Sequence, residues 1–313
     1  MQESCFEQKH TRERMISVII PTYNRAEFIG QAIASVLDQT LTSGAICGEI
    51  IVVDDGSTDA TPEIVQQMRR KKQIREIPLR YLYQENKGAS AARNLGITAA
   101  QHDMLCFLDS DDRWVPHKLE MQLHAMQRQP QYLISHTREI WYRHGMQVNQ
   151  KKKHAPPHGE IFQRALRMCV VGMSTVMMQR EIFHRYGLFN ENMPCCEDYD
   201  LWLRVSREEA FLLVDEALTL KDGGRPDQLS ALYRLGMDRW RIYSLCLLLE
   251  NTSLKAEQYD QVVAELERKC RIYGKGCIKH GRSEEGEYYL TLPKQQNMQG
   301  TAFVPDGKGD IFL

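Results

Sequence analysis

Long apolar runs are missing from this sequence. The longest, such as residues 244–249, fall well short of the roughly 20 residues that a helix needs to span a bilayer. Residues 1–14 are polar and charged, so they lack the apolar stretch of a secretory signal. We therefore expect a cytoplasmic protein, and peripheral contact with the inner face of the membrane stays open.

A surplus of one charge is missing as well. The 313 residues include 40 Lys and Arg against 41 Asp and Glu, for a net charge of −1. No overall field would draw such a chain to nucleic acid, so we expect no nucleic-acid partner. The length suits one large domain, with or without an appendage, and the partner must be sought at a local site.

The nine cysteines lack the regular spacing of a disulfide framework. Several fall inside apparent core elements, which fits a reducing compartment. The adjacent Cys195 and Cys196 could suggest redox or metal chemistry, but two neighbouring cysteines do not have the spacing of a zinc site. We interpret both as structural thiols.

The first third of the chain alternates between strand and helix patterns. Short apolar runs predict strands at residues 15–20, 49–53, 80–84 and 104–108, and helical spacing of apolar residues predicts helices at 27–39, 58–68 and 89–100. Continuously apolar strands separated by helices indicate a parallel sheet that is covered on both faces. In such a sheet the ligand crevice lies beyond the carboxyl ends of the strands.

Acidic residues follow the predicted strand at 104–108, in the order Asp109, Ser110, Asp111 and Asp112. Carboxylates two residues apart on an extended chain point to the same side. Mg²⁺ or Mn²⁺ is often held by one or two such carboxylates, while water and substrate phosphates complete the shell. The alternative is a surface turn in which Asp112 caps the next predicted helix, at 116–127.

A second acidic pair, Asp54 and Asp55, follows the strand at 49–53. One carboxylate there could accept the ring N–H of a pyrimidine base. The alternative is a tight turn and helix cap, in which Gly56 supplies the backbone freedom. Further along, Lys87 and Gly88 precede a predicted helix whose N-terminus favours an anion, and Arg93 could reach a ribose or a phosphate.

A third acidic pair, Glu197 and Asp198, opens an amphipathic helical pattern. Acids in a first helical turn often serve only as partners of the helix dipole. A carboxylate at that position is equally suited to remove a proton from an acceptor hydroxyl.

The order and spacing of these motifs resemble the family 2 glycosyltransferases. The likeness covers residues 16–232 and rests on five segments: residues 17–24, 52–59, 88–94, 107–112 and 197–198. It implies the GT-A fold, a mixed α/β sheet flanked by helices, and an inverting transfer from a nucleotide diphosphate sugar, often a UDP sugar. We expect a catalytic domain at residues 1–235 and a helical extension at 236–313, with a polar tail from Pro293 onward that is loose at its end.

The resemblance also implies roles for individual residues. Asp54 would bind the nucleobase with Thr22 and Tyr23, and Asp198 would be the catalytic base. Asp111, with Asp109, would hold the Mn²⁺ or Mg²⁺ ion. Further donor contacts are expected from Pro21, Asn24, Arg25, Asp55, Lys87, Gly88, Arg93, Asp109, Ser110 and Glu197. Many relatives carry a histidine shortly before a Ser in the matching segment, and Arg225 stands near that place here. A guanidinium can pair with phosphate oxygens but cannot ligate a metal.

The acceptor is expected to be a saccharide or a lipid-linked acceptor, and homo-oligomerisation stays open. Two other functions fit parts of the pattern: a non-catalytic nucleotide-sugar-binding subunit and a metal-dependent nucleotidyltransferase. A dinucleotide dehydrogenase does not fit, because Pro21, Thr22 and Tyr23 follow the first strand where a G-x-G-x-x-G loop would lie.

Overall fold

A computed structural model describes residues 15–40, 46–70, 77–250 and 254–299. Within these ranges nine strands form one sheet. They are β1 (Met15–Thr22), β2 (Ile46–Asp54), β3 (Leu79–Tyr83), β4 (Met104–Phe107), β5 (Arg113–Trp114), β6 (Ile134–Arg143), β7 (Met146–Val148), β8 (Met177–Gln179) and β9 (Leu212–Gly223).

The described ranges also contain eleven α-helices. They are α1 (Ile29–Leu37), α2 (Thr61–Arg69), α3 (Ala89–Ala99), α4 (Lys118–Arg128), α5 (Phe162–Arg167), α6 (Glu181–Tyr186), α7 (Glu197–Ser206), α8 (Leu229–Leu232), α9 (Met237–Leu249), α10 (Ala256–Lys279) and α11 (Ser283–Gln299). None of the described helices is both long enough and apolar enough to cross a bilayer.

The sheet is mixed, as the family resemblance implies. Its order is β3-β2-β1-β4-β8-β6-β9-β5, and β7 pairs with β6. The first four strands along the chain are mutually parallel, as their apolar pattern predicts. Beyond them the direction changes, because β8 runs antiparallel to both β4 and β6, whereas β6 and β9 are parallel.

Both faces of the parallel part are covered. In β1 the side chains of Ile16, Val18 and Ile20 join one buried cluster with residues of α1, α2 and α4. On the other face α3 lies close to β1: a Cβ on Gly96 would be 2.4 Å from a methyl group of Ile19. This close packing fixes α3, and therefore the loop that leads into it, at the carboxyl edge of the sheet.

The chain divides into two compact units. The whole sheet belongs to the sheet unit (Met1–Ile161, Val170–Glu191 and Glu209–Gly224), and the helical unit comprises Phe162–Cys169, Asn192–Glu208 and Arg225–Leu313. The domain boundary between residues 235 and 236 stays a prediction. The structure describes α11 through Pro293 to Gln299, and the loose end expected for the tail lies outside the described residues.

Candidate active site

The end of β1 carries the first group of predicted donor-binding residues. Thr22 is 3% exposed, and no residue of the described ranges forms a hydrogen bond with its Oγ1. Tyr23 is 45% exposed. Asn24 has a positive φ of 50° and is held by Ser57, whose hydroxyl accepts its N–H at 2.9 Å. The turn therefore offers a buried hydroxyl and an exposed aromatic ring side by side.

Asp54, at the end of β2, is completely buried. Its Oδ1 accepts the N–H of Ser57 at 2.8 Å, and its Oδ2 accepts the hydroxyl of Tyr81 at 2.7 Å. Burial, the hydrogen bond to Asp54 and its charge together raise the pKa of Tyr81. The carboxylate is thus held in one orientation before any ligand arrives.

Asp55 organises the loop that leads into α3. Its Oδ1 accepts the side-chain amide of Gln84 at 2.7 Å and the N–H of Lys87 at 2.8 Å, and its Oδ2 accepts the N–H of Gly88 at 2.8 Å. Gly88 has a φ of 92°, and no atom lies within 4 Å of the place where a Cβ would be. A phosphate can approach the backbone closely where a glycine leaves such open space.

Asp109, directly after β4, forms an ion pair with Arg93. The guanidinium Nη2 lies 2.9 Å from Oδ1 of Asp109, and Arg93 also stacks on the ring of Phe189. Burial acts to raise the pKa of the carboxyl, but the charges of Arg93 and Lys221, with hydrogen bonds from Arg93 and Ser174, hold the pKa of Asp109 below its ordinary value. The expected contact of Arg93 with the nucleoside stays a prediction beside this ion pair.

Asp112 is buried beneath the same turn. Its carboxylate accepts the hydroxyl of Ser174 at 2.7 Å and the N–H of Asp222 at 3.2 Å, and Lys221 Nζ lies 3.8 Å away. Burial and the neighbouring charges of Asp111 and Asp109 outweigh Lys221 and raise the pKa of Asp112 to about 8.

Sequence reasoning missed Ser174 and Lys221. Both are brought to the β4 turn by elements that lie more than 60 residues further along the chain, so no local spacing indicates them. Ser174 is the more central of the two, because its hydroxyl also accepts the N–H of Asp109 at 3.0 Å.

The carboxylates at the end of β4 fit a divalent cation. The lowered pKa of Asp109 favours its ionised form, and Asp111 is only partly buried. Among the described residues no three or more His, Cys, Asp or Glu side chains are grouped so that they could hold a metal ion. Such a site would have one or two protein carboxylates, with water and phosphate oxygens as the remaining ligands, which is the usual arrangement for Mg²⁺.

Asp198 lies in the helical unit, in the first turn of α7. Its Oδ2 accepts the thiol of Cys169 at 3.1 Å, and its Oδ1 accepts the N–H of Tyr199 at 2.7 Å. The residue that precedes the helix, Cys196, has a positive φ of 65°, a conformation that non-glycine residues adopt at a cost of about 1 to 2 kcal/mol. Unfavourable backbone geometry of this kind clusters at functional sites.

Other predicted residues of the helical unit have structural contacts. Glu197 is 6% exposed, and Arg225 lies 3.5 Å from a carboxylate oxygen of Asp227. Cys195 and Cys196 are buried thiols, and no described cysteine forms a disulfide. The pKa of Cys196 is raised mainly by a hydrogen bond with Cys195 and secondly by burial.

The sequence is similar to a family profile and to several known proteins. A profile described as "Glycosyl transferase family 2" matches residues 17–187. The chain is 35% identical over 65% of its length to an uncharacterized glycosyltransferase of Rickettsia felis, but it spans only 32% of that protein. It is 37% identical to the putative teichuronic acid biosynthesis glycosyltransferase TuaG of Bacillus subtilis, over 62% of this chain and 73% of TuaG.

A further relative has a more specific description. The chain is 30% identical to UDP-Glc:alpha-D-GlcNAc-diphosphoundecaprenol beta-1,3-glucosyltransferase WfgD of Escherichia coli, over 62% of this chain and 70% of WfgD. The substrates in these descriptions belong to the relatives, to which this chain is similar.

Solved structures show the fold. S. aureus TarS 1–349 in complex with UDP-GlcNAc has a TM-score of 0.63 at 18% identity, over 94% of this chain and 95% of that one. The mannosyltransferase PcManGT of Pyrobaculum calidifontis, in complex with GDP-Man and Mn²⁺, has a TM-score of 0.57 at 14% identity, over 91% and 87%. The predicted GT-A fold with helices at its C-terminal end is confirmed.

Proposed function

The chain belongs to glycosyl transferase family 2, and from this premise we propose that it transfers a sugar from a UDP sugar to an acceptor hydroxyl with inversion at the anomeric carbon. The observation that carries the proposal is the pair of acidic turns at one edge of the sheet. Asp54 is the last residue of β2 and Asp109 follows β4, and both strands are parallel neighbours of β1. Adjacent strands are about 4.8 Å apart, so the two turns are separated by about 10 Å.

The side chains at this edge supply the contacts that a nucleotide diphosphate needs. We assign the nucleobase to the fixed carboxylate of Asp54 and the buried hydroxyl of Thr22, with Tyr23 as an exposed stacking surface. We assign the diphosphate to the β4 turn, where Asp109 and Asp111 would hold Mn²⁺ or Mg²⁺. The bound ion would offset the negative charge of the diphosphate.

We assign general-base catalysis to Asp198. Its carboxylate would take the proton of the acceptor hydroxyl while that oxygen bonds to the anomeric carbon. The bond from the anomeric carbon to the phosphate oxygen breaks in the same step, and UDP leaves with the bonding electrons. The Cys169 thiol and the Tyr199 N–H each occupy one carboxylate oxygen. They would thereby orient Asp198 for proton transfer.

The acceptor proposed here is a saccharide for a cell-surface polysaccharide or glycoconjugate, carried on a lipid. The proposal is supported by the names of two relatives, one for teichuronic acid biosynthesis and one for a diphosphoundecaprenol acceptor. Because the chain spans less than a third of the length of its Rickettsia felis relative, the activity of any longer protein is part of the proposal.

The test replaces Asp198 with Asn, which keeps the size of the side chain and removes the base. We expect kcat to fall about 10²- to 10⁴-fold, the usual worth of general-base catalysis. Donor affinity should stay within twofold, since Asp198 is not assigned to the donor. Asp260→Asn, on the exposed part of α10, is the matched control. Turnover of Asp198→Asn within a few-fold of the unmodified protein would remove Asp198 from the mechanism.

The products separate this function from its two rivals. A glycosyltransferase releases UDP, whereas a nucleotidyltransferase releases pyrophosphate and a nucleotide-linked product. A non-catalytic binding subunit would be stabilised by the UDP sugar and metal, because ligands that bind the folded state raise its melting temperature. It would form no UDP with any acceptor and would not hydrolyse the donor.

A further inference from the structure

One segment of the sheet unit departs from the balanced charge of the chain. Residues 140–159 contain four Lys and Arg side chains, three His and no Asp or Glu, although the whole sequence has a net charge of −1. The segment includes the end of β6, the whole of β7 and a 3₁₀ turn at Lys152–His154. We refer to residues 141–154 as the basic hairpin.

The basic hairpin has a defined backbone. Its tip is a tight turn at His144 and Gly145, which have φ values of 49° and 75°, and Arg143 pairs with Met146 across the strands. The following lysine segment is held to β6, because Gln150 donates a hydrogen bond to the carbonyl of Glu139 at 3.0 Å and the rings of Trp141 and His154 lie 5.1 Å apart. The cations are therefore displayed on an ordered support.

Within the part of the chain that the structure describes, these cations have no carboxylate partners. Arg143, Lys151, Lys152 and Lys153 are exposed, and none of them forms an ion pair with an acid of the described ranges. Elsewhere in the sheet unit Arg80, by contrast, is neutralised by Glu49. The acid nearest in sequence, Glu139, is turned inward, where it accepts the indole N–H of Trp141 and faces Lys221. The positive charge of the basic hairpin is thus left to the solvent.

The same surface also exposes apolar groups. Met146, directly at the tip, is 70% exposed, and Trp141 and Tyr142 are half-buried beside it. A soluble polyanion, such as an acidic glycan, needs only the cations. A bilayer surface combines anionic headgroups with an apolar layer beneath them, and it accommodates Met and aromatic side chains between basic ones.

None of the cations is buried in a pocket, so the surface is not built for a single phosphate. A row of exposed lysines interacts with many headgroups at once, through the potential of an anionic membrane surface. We propose that the basic hairpin is the surface by which this protein binds the anionic phospholipid headgroups of a bilayer, with Met146 entering the interface. The proposal concerns binding alone and does not depend on the transfer reaction.

The experiment is sedimentation of the full chain with vesicles of phosphatidylcholine, with or without phosphatidylglycerol. We expect binding only where phosphatidylglycerol is present. Binding should weaken strongly between 0.1 M and 1 M salt, where the Debye length falls from about 10 Å to about 3 Å. Equal binding to both kinds of vesicle, or to neither, would overturn the proposal.

The decisive variant replaces Lys151, Lys152 and Lys153 with Gln. Each lysine near an anionic surface contributes about fivefold to the binding constant, so we expect a loss of roughly 100-fold. The matched control removes three exposed cations from α10, in the variant R271Q/K275Q/K279Q, and should bind like the unmodified protein. An equal loss in both variants would assign the effect to net charge and overturn the proposal.

Two further measurements complete the test. Met146→Ser should bind phosphatidylglycerol vesicles more weakly at both salt concentrations, because an apolar contact is not screened by salt; unchanged binding would overturn the insertion of the tip. Binding of a soluble acidic polysaccharide in the absence of vesicle binding would identify the surface as a polyanion site instead. All variants should keep the circular dichroism spectrum and turn over a water-soluble acceptor normally.

Discussion

The two acidic turns of the sheet unit have similar sequences and different environments. After β2, the oxygens of Asp54 and Asp55 accept five hydrogen bonds from protein groups, and both side chains are buried. After β4, Asp109 is paired with Arg93 and Asp112 is buried, but Asp111 is partly exposed. An acid pair after a buried strand therefore does not have one fixed role. At β2 the acids shape a loop, and at β4 Asp109 and Asp111 are both partly exposed to solvent.

The largest expected effect comes from Asp111. Asp111→Asn should lower kcat about a thousandfold, because the charge stabilisation supplied by a bound metal is worth several kcal/mol and each 1.4 kcal/mol, roughly, is tenfold in rate. Metal-dependent donor binding, followed by thermal shift, should disappear. The melting temperature without ligand should hardly change. Unchanged metal dependence would place the ion elsewhere.

Asp55→Ala tests the opposite role. The substitution removes three partly buried hydrogen bonds from the loop, and the usual net worth of one hydrogen bond is about 1 kcal/mol. We expect the free energy of unfolding to fall by about 3 kcal/mol, measured by urea denaturation. Asp38→Ala, in the exposed turn after α1, is a suitable control. A stability loss under about 1 kcal/mol would mean that the loop forms without the carboxylate.

Ser174→Ala should weaken the β4 turn specifically. Its hydroxyl joins Asp112 to the backbone of Asp109, and groups that orient metal-binding carboxylates change metal affinity about 10- to 100-fold when removed. We expect the lower part of that range in Mn²⁺ titrations of donor-dependent thermal shift. Thr219→Val is the control, because the hydroxyl of Thr219 contacts the carbonyl of Ser174 and the hydroxyl of Thr137, and neither group belongs to the β4 turn. Equal effects of the two substitutions would contradict a role for the hydroxyl.

The smallest expected effect is that of Tyr81→Phe, which removes one of the two described hydrogen bonds to the carboxylate of Asp54. The protein should lose about 1 kcal/mol of stability, the usual net worth of one hydrogen bond. Donor affinity should fall a few-fold, since Asp54 would be less well oriented. If affinity for the UDP sugar instead rises, the tyrosine competes with the nucleobase for the carboxylate.

Much of the parallel half of the sheet could be predicted from the sequence. The strand predicted at residues 15–20 is β1 (Met15–Thr22), and the helix predicted at 89–100 is α3. A short, continuous apolar run that ends at polar residues is typical of a strand in a parallel sheet. By contrast, no such run marks β6 (Ile134–Arg143). His136 and Arg138 interrupt its apolar pattern, and its place is fixed by long-range pairing with β8 and β9.

The candidate site was predictable only to the level of the turns. Spacing identified Asp54 and Asp109, but not which groups would hold them. Arg93 and Asp109 are 16 residues apart, and Ser174 is 65 residues from Asp109, so these contacts depend on how α3 and the segment before β8 pack. The role of Asp198 as a base stays a prediction, and its neighbour Cys169 could not have been identified from local spacing.

Cys169 has one practical consequence. Among the cysteines of the described ranges it is the one that is partly exposed, while the others are buried. A maleimide or iodoacetamide reagent should therefore react first at this thiol, once Cys5 has been replaced by Ser. Because the thiol lies 3.1 Å from Asp198, a fluorophore or spin label attached there would report on the surroundings of that carboxylate.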